Sequence, residues 1–108
     1  MSKAAYWQRG ESLDYHNNGT SVIEANTIIN LGTRIGVVGT DINPNEKGSL
    51  HVTGVYEIEK TGTSAIEMGA AVYFDGTGIT NETSGTPAGY AAAAAAADAK
   101  VILVKLQG

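Results

Sequence analysis

Ser49-Leu50-His51-Val52-Thr53-Gly54-Val55-Tyr56-Glu57-Ile58-Glu59-Lys60 is the stretch whose pattern decides the fold class. Leu50, Val52, Tyr56 and Ile58 share one side of a two-residue period, while His51, Thr53, Glu57 and Glu59 share the other. That is the signature of a strand with one buried face. Val55 interrupts the polar side and Gly54 the apolar one, so a bulge or close backbone approach is expected near Gly54.

Upstream, residues 27–31 and 34–38 are rich in β-branched side chains and are separated by Gly32-Thr33. A two-residue link with a glycine predicts a tight hairpin. Residues 41–48 collect turn-forming types without apolar periodicity and are expected to form an exposed loop. Leu13 and Tyr15 alternate with Ser12, Asp14 and His16, predicting a first strand that ends at Asn17-Asn18-Gly19.

Downstream, Thr61-Gly62-Thr63-Ser64 can cap one helical turn over residues 65–68, stopped by Gly69. A strand is predicted at residues 71–74, a turn at 75–78, a short edge strand at 79–83 and a further turn at 84–87. The last strand spans residues 100–106, with Val101 and Leu103 on one face and Ile102, Val104 and Leu106 on the other. Both faces should therefore be covered, by core or by a neighbouring subunit. Residues 91–97 are all alanine, the best helix former. A helix that short is marginal in water, and strand is the preferred reading. No internal repeat and no linker is visible.

The 108 residues suit one domain, and with one Phe and one Trp the core must be built from Val, Ile, Leu, Ala and Tyr. A formal charge of −4 with seven scattered Lys and Arg disfavours nucleic acid and anionic membranes as direct partners. The absence of Cys removes disulfides and thiolate metal cages. The N-terminal residues lack the apolar run of a signal peptide, and no stretch reaches the length of a membrane span, so synthesis in a cytoplasm is expected.

No residue set reads as a catalytic, cofactor-binding or metal site. His16 and His51 stand on different predicted strands, and no carboxylate lies at the spacing that metal-hydrolase motifs need. Lys60-Thr61-Gly62 has no accompanying Ser-x-x-Lys, and Gly76-Thr77-Gly78 lacks the third glycine of a dinucleotide loop. Glu57 and Glu59 read as solvated carboxylates, since acid–base work requires a pocket that separates their environments. Tyr6 and Trp7 precede the first strand in a segment without alternation. They either close one end of the core or dock on a partner.

The ordered set of segments resembles a known family. Ile35-Gly36-Val37-Val38, Asp41-Ile42, Gly48 and the run from Val52 through Lys60 are similar to the tailed-phage capsid cement, or head decoration, proteins, long catalogued as a domain of unknown function. Ala65-Ile66-Glu67-Met68-Gly69-Ala70-Ala71-Val72-Tyr73-Phe74-Asp75 resembles that family's turn, glycine and strand ending in an aromatic, although the acidic residue that often follows the glycine is missing. The alanine stretch after Gly89-Tyr90 and the closing Val101-Ile102-Leu103-Val104-Lys105-Leu106 are similar to its C-terminal hairpin.

The resemblance implies an all-β, single-domain β-barrel or β-tulip over residues 11–108 with at most one short helical turn, and the aromatics Tyr6 and Trp7 outside any alternating strand predict a flexible N-terminal arm over residues 1–10. It implies a non-enzymatic virion protein, made in the host bacterial cytoplasm, that binds the outer surface of an icosahedral capsid and stabilises it. Its partner would be the major capsid protein, with self-association as a trimer. The expected contact residues are Tyr6, Trp7, Gln8 and Arg9 in the arm and Ala91, Ala93 and Ala95 in the alanine run, with no cofactor. Another head or tail component, or a small β-rich binding or carrier module, is the alternative; a carrier would need a modifiable Lys at a hairpin tip, and Lys47 and Lys60 lack flanking methionines.

Overall fold

Gly54, with φ at 110°, breaks the 49–60 stretch into two strands rather than bending one. In the computed structural model, which describes residues 2–106, these strands belong to different sheets. The first sheet comprises β1 (Ser12–His16), β2 (Ile28–Asn30), β3 (Ile35–Val38) and β4 (Lys47–His51), in the order β1-β4-β3-β2. The second comprises β5 (Val55–Glu59), β6 (Ala71–Phe74), β7 (Ile79–Thr80), β8 (Thr86–Ala91) and β9 (Val101–Leu106), in the order β5-β9-β8-β6-β7. All strand pairs are antiparallel. The fold is all-β, as expected, but the sheets do not close into a barrel. Met1, within the expected arm, and Gln107 and Gly108, within the expected β domain, lie outside the described residues.

The hairpin at residues 27–38 forms as read: Leu31 N–H donates to Arg34 O at 2.8 Å, and Gly32 supplies a φ of 92°. The strands expected near residues 12–16, 71–74, 79–83 and 100–106 are present as β1, β6, β7 and β9. Other segments depart from expectation. Ile42, in the supposedly exposed loop, is buried and bridges to Ile23. Thr86 and Pro87, expected in a turn, begin β8; the missing proline N–H is accommodated at a register shift opposite Val72 and Tyr73.

Residues 65–68 are not helical. Ile66 forms a bridge with Ala95, and Ala70 N–H donates to Glu67 O across a turn with Gly69 at φ 89°. A positive φ at the third turn position defines a type II turn, which uses the glycine that a helix would have used as its stop. The alanine run is neither one strand nor a helix. Ala91 ends β8, Ala95 makes the bridge to Ile66, and Ala99 N–H donates to Ala96 O in the following turn. Tertiary pairing overrides the helical preference of alanine here.

These turns expose an internal repeat, contrary to the expectation that none exists. Gly19-Thr20-Ser21-Val22-Ile23-Glu24 recurs 43 residues later as Gly62-Thr63-Ser64-Ala65-Ile66-Glu67. The Ile23–Ile42 bridge corresponds to the Ile66–Ala95 bridge, and β1-β4-β3-β2 corresponds to β5-β9-β8-β6. Ala71 stands 43 residues after Ile28, and Tyr90, its partner, 53 after Val37. The extra length in the second half carries β7. Each bridge residue is followed by a four-residue turn, closed by Thr27 to Glu24, Glu46 to Asn43, Ala70 to Glu67 and Ala99 to Ala96, the first three with a positive φ at the third position.

Asn17 and Lys60, 43 residues apart, are buried polar side chains at equivalent positions of the two halves. Asn17 Nδ2 donates to Ser21 O at 2.8 Å and Ile42 O at 2.9 Å. Lys60 Nζ donates to Gly62 O at 2.8 Å and Ala97 O at 3.1 Å. Ser21 O, Gly62 O and Ala97 O each gain a donor in this way, and Ile42 O, which already accepts from Ile23 N–H, gains a second.

The core has two parts. Val38, Ile42, Leu50 and Val52 form a cluster within the first half. The larger cluster combines second-half residues, including Ile58, Ile66, Val72 and Val104, with Ile35 and Val37 of β3. The first half thus lends an apolar sheet face to the second.

Candidate functional site

The surface, rather than a catalytic cleft, carries the distinctive features. Residues 2–9 form no strand, and Tyr6 and Trp7 are 84 % and 87 % exposed. Gln8 and Arg9 are exposed beside them. Of the two readings of these aromatics, closing the core is excluded by that exposure. Lys3 and Arg9 are the only charged residues before Glu11; without their two positive charges, a chain of −4 leaves a remainder of −6. A cationic, aromatic segment therefore precedes an acidic body.

The alanine positions behave differently. Ala91 and Ala95 are buried in the larger core, which removes their side chains from any surface a partner touches. Ala93 is half-buried and retains access. Small side chains here let the 91–97 loop approach the loop of Ile66, where two backbone hydrogen bonds of 2.9 and 2.8 Å join Ile66 and Ala95.

The second sheet exposes a mixed outer face, in which the apolar Val101 and Leu103 of β9 pair with Glu59 and Glu57 of β5. Ile102, Val104 and Leu106 point into the core, while Val101 and Leu103 remain 46 % and 41 % exposed. The chain's own core therefore covers only one face of β9. Across the sheet, Val55 pairs with Lys105, and Lys105 pairs with Tyr90, which is 48 % exposed. A groove of about 570 Å³ opens along β6 and β8, lined by Gly69, Ala71, Tyr73, Pro87, Tyr90 and Lys105 among others. A second groove, of about 340 Å³, lies between Asn26, Ile28 and Val37 of the first half and residues 56–59 of β5.

The polar residues considered for chemistry do not converge. Among the described residues, no group of three His, Cys, Asp or Glu side chains is placed to hold a metal ion. His16 ends β1 with its ring nitrogens 2.6 Å from Asn18 Oδ1 and 3.2 Å from Asn45 O, whereas His51 lies at the other end of the β1–β4 pair. Glu57 and Glu59 are exposed on β5. Lys60 is buried and held by two carbonyls, so it is not the accessible hairpin-tip lysine of a carrier domain.

Asp75 organises the β6–β7 turn. Its Oδ2 accepts from Thr61 Oγ1 at 2.6 Å, and its Oδ1 accepts from the N–H groups of Thr77 and Gly78 at 2.8 and 2.9 Å. These bonds, the Thr61 hydroxyl foremost, hold its pKa below the ordinary value of 3.8, against a small opposing effect of burial. The sequence reading treated this segment only as a turn. Val101 and Leu103 form the second apolar face expected on the last strand, and the chain's own core leaves that face partly exposed.

Comparison with known families matches residues 7–106 to a family described as phage cement protein. No curated protein and no solved structure matches the chain.

Proposed function

Because the chain belongs to the phage cement protein family, a structural family associated with phage capsids, we propose that it binds the outside of an icosahedral shell and stabilises it. The observation that carries this reading is the extent of the family match, from Trp7 to the end of β9. The partner in this reading is the major capsid protein, and the finished location is the virion exterior.

The mechanism is linkage rather than chemistry. A protein that binds assembled subunits but not separated ones adds its binding free energy to the assembled state. Many copies, each with a modest interface, make disassembly progressively less favourable. Tyr6 and Trp7 are the anchors in this scheme, because large amphipathic side chains gain most from leaving water at an interface. Gln8 and Arg9 provide polar and cationic contacts beside them, and Ala93 marks a secondary surface. Copies gather as trimers at local threefold positions.

Co-sedimentation of purified protein with expanded, undecorated cognate capsids tests the reading. Saturable binding with added density on the outer surface at local threefold positions is expected. Absence of binding to the cognate shell would overturn it and redirect attention to another head or tail role.

A further inference from the structure

The internal repeat leaves one of its own contacts unfilled. Within the chain, Ile28, Ile35 and Val37 on β2 and β3 join the core to which Ile58 of β5 belongs, and Tyr56 packs against it. The 340 Å³ groove marks this junction, with Asn26, Ile28 and Val37 on one side and residues 56–59 on the other. In the second half, Gly69, Ala71 and Tyr90 occupy the positions of Asn26, Ile28 and Val37. They line the 570 Å³ groove, where no strand among the described residues plays the part of β5.

By the repeat, the counterpart of β5 is β1: Leu13 stands where Tyr56 does, and Tyr15 where Ile58 does, 43 residues earlier. Leu13 is 42 % exposed, and Tyr15 is only half-buried. One chain therefore carries an uncovered groove at β6 and β8 and, elsewhere, a copy of the strand that covers such a groove, with Leu13 exposed and Tyr15 only partly taken up by the Val38–Leu50 cluster.

We propose that a second copy docks head to tail, its β1 seated on the β6–β8 groove, repeating between chains the contact that joins the two halves within one chain. Such an interface is heterologous, so successive copies add in the same sense until a rotation closes them into a ring. The contact deepens, and rests on, the reading of the copies as trimers: three copies would present six similar halves in sequence. Leu13 and Tyr15 supply the apolar centre on one side, with Ala71 and Tyr90 opposite.

The test uses Leu13→Asp, which disables the strand side, and Tyr90→Lys, which disables the groove side. Both positions are exposed, so circular dichroism should remain that of the parent; Leu13→Ser and Tyr90→Ser replace them if either charged variant melts early, with at least roughly tenfold weaker association expected. Sedimentation velocity from micromolar to millimolar concentration should show discrete oligomers of the parent and monomers of each charged variant. An equal mixture of the two charged variants retains one working strand and one working groove per pair, so a 1:1 dimer and nothing larger is expected. A parent that stays monomeric, a variant that assembles like the parent, or a mixture that stays monomeric would overturn the proposal. Shell binding is measured separately on the same samples. Parent protein that assembles but ignores capsids would count against the cement reading alone, whereas parent that decorates capsids but never self-associates would count against this contact alone.

Discussion

Replacing Asn17 with Ala removes the side chain that ties the first-half loops together. Its Nδ2 donates to Ser21 O and Ile42 O at 2.8 and 2.9 Å, and its Oδ1 accepts from Gly19 N–H at 2.9 Å. The residue is 2 % exposed, so water does not replace these partners without opening the loop. At about 1 kcal/mol for each bond, the loss is about 3 kcal/mol. For a domain of this size that is a large share of a total of roughly 5–15 kcal/mol. At roughly 4–8 °C per kcal/mol, the melting temperature should fall by roughly 12–24 °C. Asn17→Asp should be worse, since its second oxygen has no proton to donate and would face the carbonyl oxygens of Ser21 and Ile42. Asn18→Ala, at the exposed neighbour, is the control and should change stability by less than about 1 kcal/mol. Denaturant and thermal unfolding of the three variants provide the assay. If Asn17→Ala and Asn18→Ala unfolded within about 0.5 kcal/mol of each other, the role given to Asn17 would be refuted.

Gly78→Ala should destabilise by roughly 1–3 kcal/mol, because a Cβ there would lie 2.6 Å from the backbone oxygen of Glu59, which cannot move aside as a side chain would. Gly10→Ala meets nothing within 4 Å and should be neutral; equal unfolding midpoints for both would contradict the packing described. Asp75 has a folded pKa below its ordinary value, so its contribution to stability is present above the unfolded pKa and is lost as pH falls through the lowered folded value. Its exposure keeps that contribution small. Asp75→Ala should therefore lower stability at neutral pH and flatten the acid limb of the stability–pH curve; an unchanged limb would count against the turn's dependence on that carboxylate. Deleting residues 1–9 should leave the thermal midpoint nearly unchanged while weakening capsid binding, and unimpaired binding would remove Tyr6 and Trp7 from the proposed interface.

The local pattern made much of the β framework legible. Alternation located β1, the Gly32-Thr33 link located the β2–β3 hairpin, and the apolar run at the end located β9. What escaped was long-range. The alternation on either side of Gly54 hides the change of sheet there, because a strand leaving one sheet and a strand entering another can keep the same phase. The repeat was legible in Gly19-Thr20-Ser21-Val22-Ile23-Glu24 and Gly62-Thr63-Ser64-Ala65-Ile66-Glu67, but it lies in loops, while the paired strands have diverged. Leu13 corresponds to Tyr56 and Val38 to Ala91, so the strands alone share little beyond phase.

The helix expected at residues 65–68 illustrates the same limit. Asn26 and Asn45, at φ values of 70° and 67°, hold the positions that Gly69 holds in the third turn. Aligning the three would have identified a type II turn before any helix was considered. For the surface, Tyr6 and Trp7 were legible because they stood outside any alternating strand. Ala91 and Ala95 were misjudged because smallness serves close packing inside a chain as readily as between chains.

The most direct measurement is the temperature at which packaged DNA escapes from filled cognate capsids, compared with and without saturating protein. The cement account predicts that this temperature rises with occupancy and returns to the undecorated value when the protein is removed. An identical release temperature at full occupancy would contradict it, because a ligand that prefers the assembled shell must stabilise that shell.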